Sequence, residues 1–203
     1  MVALQAFGQR GFQAASTRDI ALAAQVNLPA IQYYFANKEG LYRACAEHIV
    51  ERYVAANLTV GAAAYDAVVK RAPPATCRTH LSRVLSTLGR FLVESDEARG
   101  WPLFIQRELA DPGPAFDVLY EQLWRPGVEL VAQLIGASRG GAGGSEEARL
   151  EAIYMISGIT AFASGRAAID RLLDAPTSQM LVADQLCRLI ERQIGLIVLP
   201  CDR

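Results

Sequence analysis

The chain has 203 residues, 52% of them hydrophobic and 20% charged, with a formal net charge of −1. This composition excludes a disordered chain and predicts an ordered globular protein of one or two domains. The near-zero net charge excludes no partner, because a locally basic segment can be cancelled by an acidic companion domain.

No basic leader followed by an apolar stretch opens the sequence, and no run of about 18 apolar residues occurs, so the expectation is a cytoplasmic protein without a membrane segment. Cys45, Cys77, Cys187 and Cys201 form no C-x-x-C pair, and His48 and His80 stand at no metal-ligand spacing. Free thiols in a reducing compartment are therefore expected, with no metal and no cofactor.

From the N-terminus, short helices come first. Ser16-Thr17-Arg18-Asp19 has the form of a capping box and predicts a helix running through Ala24. After Gln25-Val26, Asn27 is a good N-cap, and Pro29 is tolerated in a first turn whose N–H groups lack intrahelical partners. A second short helix then runs to about Phe35, and another begins near Asn37. Ile20, Ala21, Ala24, Val26 and Ile31 supply the apolar crossing of the two short helices.

That crossing leaves Pro29, Ala30, Gln32, Tyr33 and Tyr34 on or near the outer surface. A helix presented this way fits the major groove of duplex DNA with its N-terminal residues at base edges. Pro29 and Ala30 permit close approach, and Gln32 can pair with a base edge. Thr17, Tyr33, Tyr34 and Lys38 can meet phosphates and set register. Packing of the two tyrosines on neighbouring helices is the competing reading.

Farther on, periodicity is helical almost throughout. Leu81, Val84, Leu85, Leu88, Phe91 and Leu92 form one amphipathic stripe, and no alternating strand pattern competes. Breaks are predicted at Ala72-Pro73-Pro74, Asp111-Pro112-Gly113-Pro114, Gly140–Gly144 and Ala175-Pro176. Pro126 predicts a kink or break within 116–135, dividing that segment into two helices. Two final helices are expected at about 146–173 and 177–199.

Gly11-Phe12, Ser16-Thr17-Arg18-Asp19-Ile20-Ala21, Val26-Asn27 and Tyr34-Phe35-Ala36-Asn37-Lys38-Glu39-Gly40-Leu41-Tyr42 together closely resemble the TetR-family DNA-binding domain, over nearly all of residues 1–45. The resemblance implies an all-α protein with an N-terminal helix-turn-helix domain, 1–45, and a larger ligand-binding and dimerisation domain, 46–203. It implies a dimeric, ligand-responsive transcription regulator, most simply a repressor released from a palindromic operator by a small molecule.

By that resemblance Lys38 meets phosphate, Arg18 matches a position that reaches bases, and Asn27, Leu28, Pro29, Ala30, Gln32 and Tyr33 match the recognition segment. Three departures stand out. Gln25 replaces the usual glycine of the turn, and Gln32 replaces a frequent aromatic residue. A first helix of Met1–Gln9 with no basic arm is shorter than usual, which predicts weaker DNA binding with a flatter salt dependence.

From about residue 46 the likeness is to the general TetR plan and to CecR-type regulators, resting on Trp101–Leu109, the proline-rich turn after it and the two final helices. In the family this domain holds a small-molecule cavity. Phe91, Trp101, Phe104, Phe116, Tyr120, Trp124 and Phe162 are candidate apolar walls, with Arg107, Glu108 and Arg166 as polar anchors that need partners if buried. A core role for the aromatics and a neighbouring carboxylate for the charges are the alternatives.

The last two helices are expected to pair with those of a second copy as a four-helix bundle. Small Ser157, Gly158 and Ala161 allow close approach, and Leu186, Ile190 and Ile194 give the apolar face. No nucleophile elbow, H-E-x-x-H or phosphate-binding glycine loop is present, so no enzymatic activity is expected. The rival to DNA binding is a dimeric helical protein that keeps the helix-turn-helix but no longer reads DNA.

Overall fold

The computed structural model describes residues 2–141, 143–172 and 179–197. The described residues are all-α, as the periodicity predicts. The helices are α1 (Val2–Ala14), α2 (Thr17–Ala23), α3 (Leu28–Phe35), α4 (Lys38–Val69), α5 (Pro74–Glu94), α6 (Trp101–Ala110), α7 (Phe116–Leu119), α8 (Arg125–Ser138), α9 (Glu146–Ser164), α10 (Arg166–Leu172) and α11 (Gln179–Ile197). A 3-10 turn, Glu97–Gly100, precedes α6, and a π-helical turn, Tyr120–Trp124, joins α7 to α8. The predicted break at Ala175-Pro176 and Cys201 lie outside the described residues. None of the single helices described is long and apolar enough to cross a membrane.

The chain divides into two compact units. The first comprises residues 1–54 and 97–124, so the short N-terminal helices and the first turns of α4 pack with α6 and α7. Its core is built from Leu4 and Phe7 of α1, Ile20 and Ala21 of α2, Ile31 of α3, Leu41, Tyr42 and Ile49 of α4, and Trp101 and Phe104 of α6, all buried. Val26, expected at the α2–α3 crossing, is instead 47% exposed. It follows the turn that carries the chain out of α2.

Helix α1 runs past Gln9 but is interrupted at Gly11, whose φ of 78° and ψ of 173° are non-helical. Side chains rarely adopt that φ, and a Cβ there would also stand 3.3 Å from the Arg107 guanidinium. The interruption breaks the helical ladder and leaves the carbonyls of the preceding turn in need of donors.

The second unit comprises residues 55–96 and 125–203. Helix α5 is its centre: Leu81, Leu85, Leu88 and Leu92 of the predicted stripe are buried, while Val84 and Phe91 lie at its half-exposed margins. Helices α8, α9 and α11 pack around it. Pro126 occupies the first turn of α8, directly after the π-helical turn. The wider turn accommodates the missing N–H and the ring clash that proline imposes on a regular helix.

The long helix expected at 146–173 is divided at Gly165, where α9 and α10 meet at a bend of 78°. A Cβ at Gly165 would approach the Ala161 carbonyl oxygen to 2.8 Å. Gly165, which has no side chain to clash there, ends the helix.

Candidate nucleic-acid interface

Helices α2 and α3 are fixed by their caps. The Ser16 hydroxyl accepts from Asp19 N at 3.4 Å and the Asn27 amide oxygen accepts from Ala30 N at 2.8 Å. The Asp19 carboxylate lies 3.4 Å from Arg10 Nη1, so it ties α2 to α1. The turn between the helices is a Schellman motif: Gln25 N donates to Leu22 O at 3.1 Å and Val26 N to Ala21 O at 3.0 Å. Its left-handed position is Gln25 itself, at φ 56°. The departure from glycine thus leaves the turn intact, with backbone strain in a residue that carries a Cβ.

With Ile31 turned inward, the outer face of α3 presents Pro29, Gln32, Tyr33 and Tyr34, all exposed; Leu28 and Ala30 are half-exposed. Tyr33 is 84% and Tyr34 76% exposed, with their rings edge to face at 5.2 Å between centroids. The tyrosines therefore pack on each other and not on neighbouring helices. Arg18 is exposed on α2 and Thr17 half-buried at its first position. Asn27 is exposed, but its side chain is engaged as the α3 cap.

The α3–α4 junction is tight. Ala36 has φ 62° and ψ −52°, and Asn37 N donates to Phe35 O at 2.7 Å, which closes a γ-turn. Asn37 Oδ1 accepts from Gly40 N at 2.8 Å. A Cβ at Gly40 would lie 2.0 Å from the Phe35 carbonyl oxygen, so the junction requires glycine at that site. Lys38, next to this junction, donates from Nζ to Gln13 O at 3.0 Å and stands 5.0 Å from the Phe12 ring centroid. An ammonium has three donors, so this bond leaves two for an incoming anion.

Two of the expected polar anchors, Arg107 and Glu108, find partners inside the first unit. Arg107 Nε donates to Gly8 O at 2.7 Å and Nη2 to Gln9 O at 2.9 Å, at the carbonyls freed by the Gly11 interruption. Glu108, only 3% exposed, accepts from the Tyr42 hydroxyl at 2.7 Å and from Ala115 N at 3.0 Å. Burial first, and the Glu108 hydrogen bond second, hold the Tyr42 phenol far above its ordinary pKa, so it stays a donor. Two consecutive α6 residues thereby grip α1 and α4, a role the sequence did not expose because both partners are distant in the chain.

Trp101 and Phe104 belong to the same core. Tyr42 meets Phe7, Phe12 and Phe104 at 4.7, 5.0 and 4.7 Å between ring centroids, and Trp101 lies edge-on to His48 at 6.3 Å. Tyr120 stacks between Phe116 at 5.4 Å and Trp124 at 6.2 Å, all three half-buried. Phe91, Phe162 and Arg166 lie in the second unit, with Arg166 Nε 2.8 Å from Asp170 Oδ1. A surface groove of about 710 Å³ in that unit is lined by Val68, Arg71, Pro73, Gln133, Ala137 and Gly140 among others, none of them foreseen as ligand contacts. Among the described residues no His, Cys, Asp and Glu cluster suits a metal ion.

The expected dimer residues divide into two groups. Ser157, Gly158 and Ala161 are exposed on α9, and a Cβ on Gly158 would meet nothing within 4 Å. Leu186, Ile190 and Ile194 are buried inside the protomer, with Leu186 and Ile190 directly over Gly89 of α5. This corrects the expectation that they form a free apolar face: periodicity marks a face as apolar without saying which helix covers it. Among the described residues, the large apolar side chains exposed on these two helices are Leu150 and Tyr154 of α9 and Met180, Leu181, Leu189 and Leu196 of α11.

Residues 2–45 match the family model of bacterial regulatory proteins of the tetR family, and residues 77–199 match that of the C-terminal domain of the HTH-type transcriptional dual regulator CecR. The chain is 31% identical over 169 residues to the HTH-type transcriptional dual regulator CecR of Shigella flexneri, covering 82% of this chain and 74% of that protein. A TetR-like transcriptional regulator from Rhodococcus sp. RHA1 superposes with a TM-score of 0.67 at 23% identity, over 96% of this chain and 92% of its own. The regulator FadR from Bacillus subtilis, solved in complex with stearoyl-CoA, gives a TM-score of 0.59 at 15% identity, over 93% and 94% of the two chains.

Proposed function

The chain belongs to the TetR family of DNA-binding transcriptional regulators, with a CecR-type C-terminal domain, and we propose that it acts as a homodimeric repressor released from a palindromic operator by a small-molecule effector. The observation that carries the DNA-reading part is the outer face of α3, where Gln32, Tyr33 and Tyr34 stand exposed on a helix held from behind by Ile31. The two adjacent tyrosines, 84% and 76% exposed, pack ring to ring and leave most of their surface open among the described residues.

In this reading residues 1–45 are the reading head. Leu28, Pro29, Ala30 and Gln32 face base edges, Arg18 and Asn27 border them, and Thr17, Tyr33, Tyr34 and Lys38 meet phosphates. Residues 46–203 hold the effector and dimer surfaces. The two-fold axis is formed by the uncovered residues of α9 and α11, including Ser157, Gly158, Ala161 and Tyr154, so that two heads meet half-sites one or more helical turns apart. A ligand-bound structural relative supports an effector for this fold. The Arg107 and Glu108 bonds supply a physical link from α6 to α1 and α4, and effector coupling of about 1–3 kcal/mol through such a link gives a useful switch.

The test is selection of genomic fragments by the purified protein at two salt concentrations. A shared palindrome is expected, and a dimer that enriches no sequence overturns the reading. On the selected site, Arg18→Ala should relax base preference, whereas Lys38→Ala should weaken binding evenly and lower the logarithmic salt slope by about 1.

A further inference from the structure

Helix α4 carries an apolar stripe that its own protomer leaves open. Val54, Leu58, Tyr65 and Val69 are 43%, 63%, 59% and 60% exposed. At the helical repeat they fall within a sector of roughly 60°. Their spacing of four, seven and four residues reads the same from either end, and Gly61 and Ala62 stand at its centre.

Gly61 strengthens the point. A Cβ there would meet nothing within 4 Å, so no neighbour in the protomer requires a glycine, although glycine weakens a helix interior relative to alanine. A close approach by a second helix supplies the missing reason. We propose that this face of α4 is a self-association surface on which a second copy of the chain packs antiparallel, with the two-fold axis at Gly61–Ala62.

The pattern selects a second copy because it is complementary to itself. In the antiparallel register Val54 meets Val69 of the other copy and Leu58 meets its Tyr65, each pair made twice, as an isologous interface demands. Glu51 continues the stripe beyond Val54 and falls beside Arg71 of the other copy, which stands exposed at the turn closing α4. A parallel pairing would instead set Glu51 against Glu51. The two other flanking cations each stand beside a carboxylate of their own chain: Arg52 Nη2 lies 2.9 Å from Glu97 Oε2, and Lys70 Nζ lies 2.6 Å from Asp66 Oδ2.

The seam uses neither α9 nor α11, so it acts independently of the pairing proposed above and would join dimers into tetramers. With four apolar residues from each copy the seam is small, and its association is to be read from about 1 to 100 μM. In sedimentation velocity over that range, the wild-type mass should rise from two copies towards four. Leu58→Glu and Gly61→Lys should each hold it at two, and unchanged helical circular dichroism for Gly61→Lys excludes misfolding as the cause.

A wild-type mass fixed at two copies, or one that rises equally in both variants, overturns the proposal. Tyr154→Glu separates the two surfaces: a chain that then associates only between one and two copies, and stays single when Leu58→Glu is added, retains the α4 seam alone. The register is checked by mixing Val54→Cys and Val69→Cys proteins, in a background of Cys187→Ser and Cys201→Ser, with a short bismaleimide. Cross-links between the two variants are expected, and links formed only within each variant overturn the antiparallel arrangement.

Discussion

Tyr42→Phe deletes one hydroxyl and keeps the ring that packs among Phe7, Phe12 and Phe104. What is lost is a 2.7 Å hydrogen bond to a carboxylate that is 3% exposed. Hydrogen bonds to charged groups contribute about 1.5–3 kcal/mol, so unfolding free energy should fall by that much. For a chain of this size that is a drop in Tm of roughly 3–12 °C. Glu108→Gln keeps the shape and still offers Ala115 N an oxygen, at a comparable cost. Because each variant already breaks the same bond, the double variant should fall short of the summed effects by about 1 kcal/mol or more. Urea titration of the four proteins, followed by circular dichroism, measures this. Additive effects would refute the claim that these two side chains act as one link between α4 and α6.

Gln25→Gly should stabilise the protein by about 0.5–1 kcal/mol, read as a higher melting temperature, because it removes a Cβ from a left-handed position. Gly40→Ala should cost about 2–3 kcal/mol and abolish operator binding, since its Cβ cannot coexist with the Phe35 carbonyl oxygen in this turn; unchanged melting would count against the junction described. Burial pushes the Cys45 thiol up to about 12 and also raises Cys77. Peptide mapping after mild alkylation at pH 8 should therefore find Cys45 and Cys77 untouched until the protein unfolds. The Arg52 hydrogen bond, more than any other contact, holds the Glu97 carboxyl below its ordinary range. A depressed carboxyl contributes stability above its unfolded pKa that is lost as pH falls through the folded value, so Glu97→Gln should flatten the decline of stability below about pH 4.5.

The parts of the fold legible in the sequence are those decided locally. Ser16 and Asn27 cap helices because their side chains reach N–H groups three residues ahead, and Ile20 and Ile31 are buried as their spacing requires. The α5 stripe is buried for the same reason. Where sequence reading fell short, distant packing decided. Arg107 and Glu108 read as charges that need partners, yet Gly8, Gln9 and Tyr42 are far away in the chain. Leu186, Ile190 and Ile194 read as an apolar face, yet the pattern is the same whether α5 or a second protomer covers them. Pro126 marked an irregularity correctly, but the π-helical turn that absorbs it depends on backbone geometry that residue types do not specify.

The bond from Lys38 to the Gln13 carbonyl bears on how tightly such a head can hold an anion. A lysine that waits in solvent must freeze its four-carbon stem when a phosphate arrives, at a cost of about 0.5–1.5 kcal/mol. Lys38 has already given up much of that freedom, with its ammonium held over the Phe12 ring and bonded to the Gln13 carbonyl near the end of α1. Ordering completed during folding is not charged again at association, and the saving is worth on the order of 2- to 10-fold in Kd. In the proposed reading head, Lys38 is thus a phosphate contact set in place beforehand.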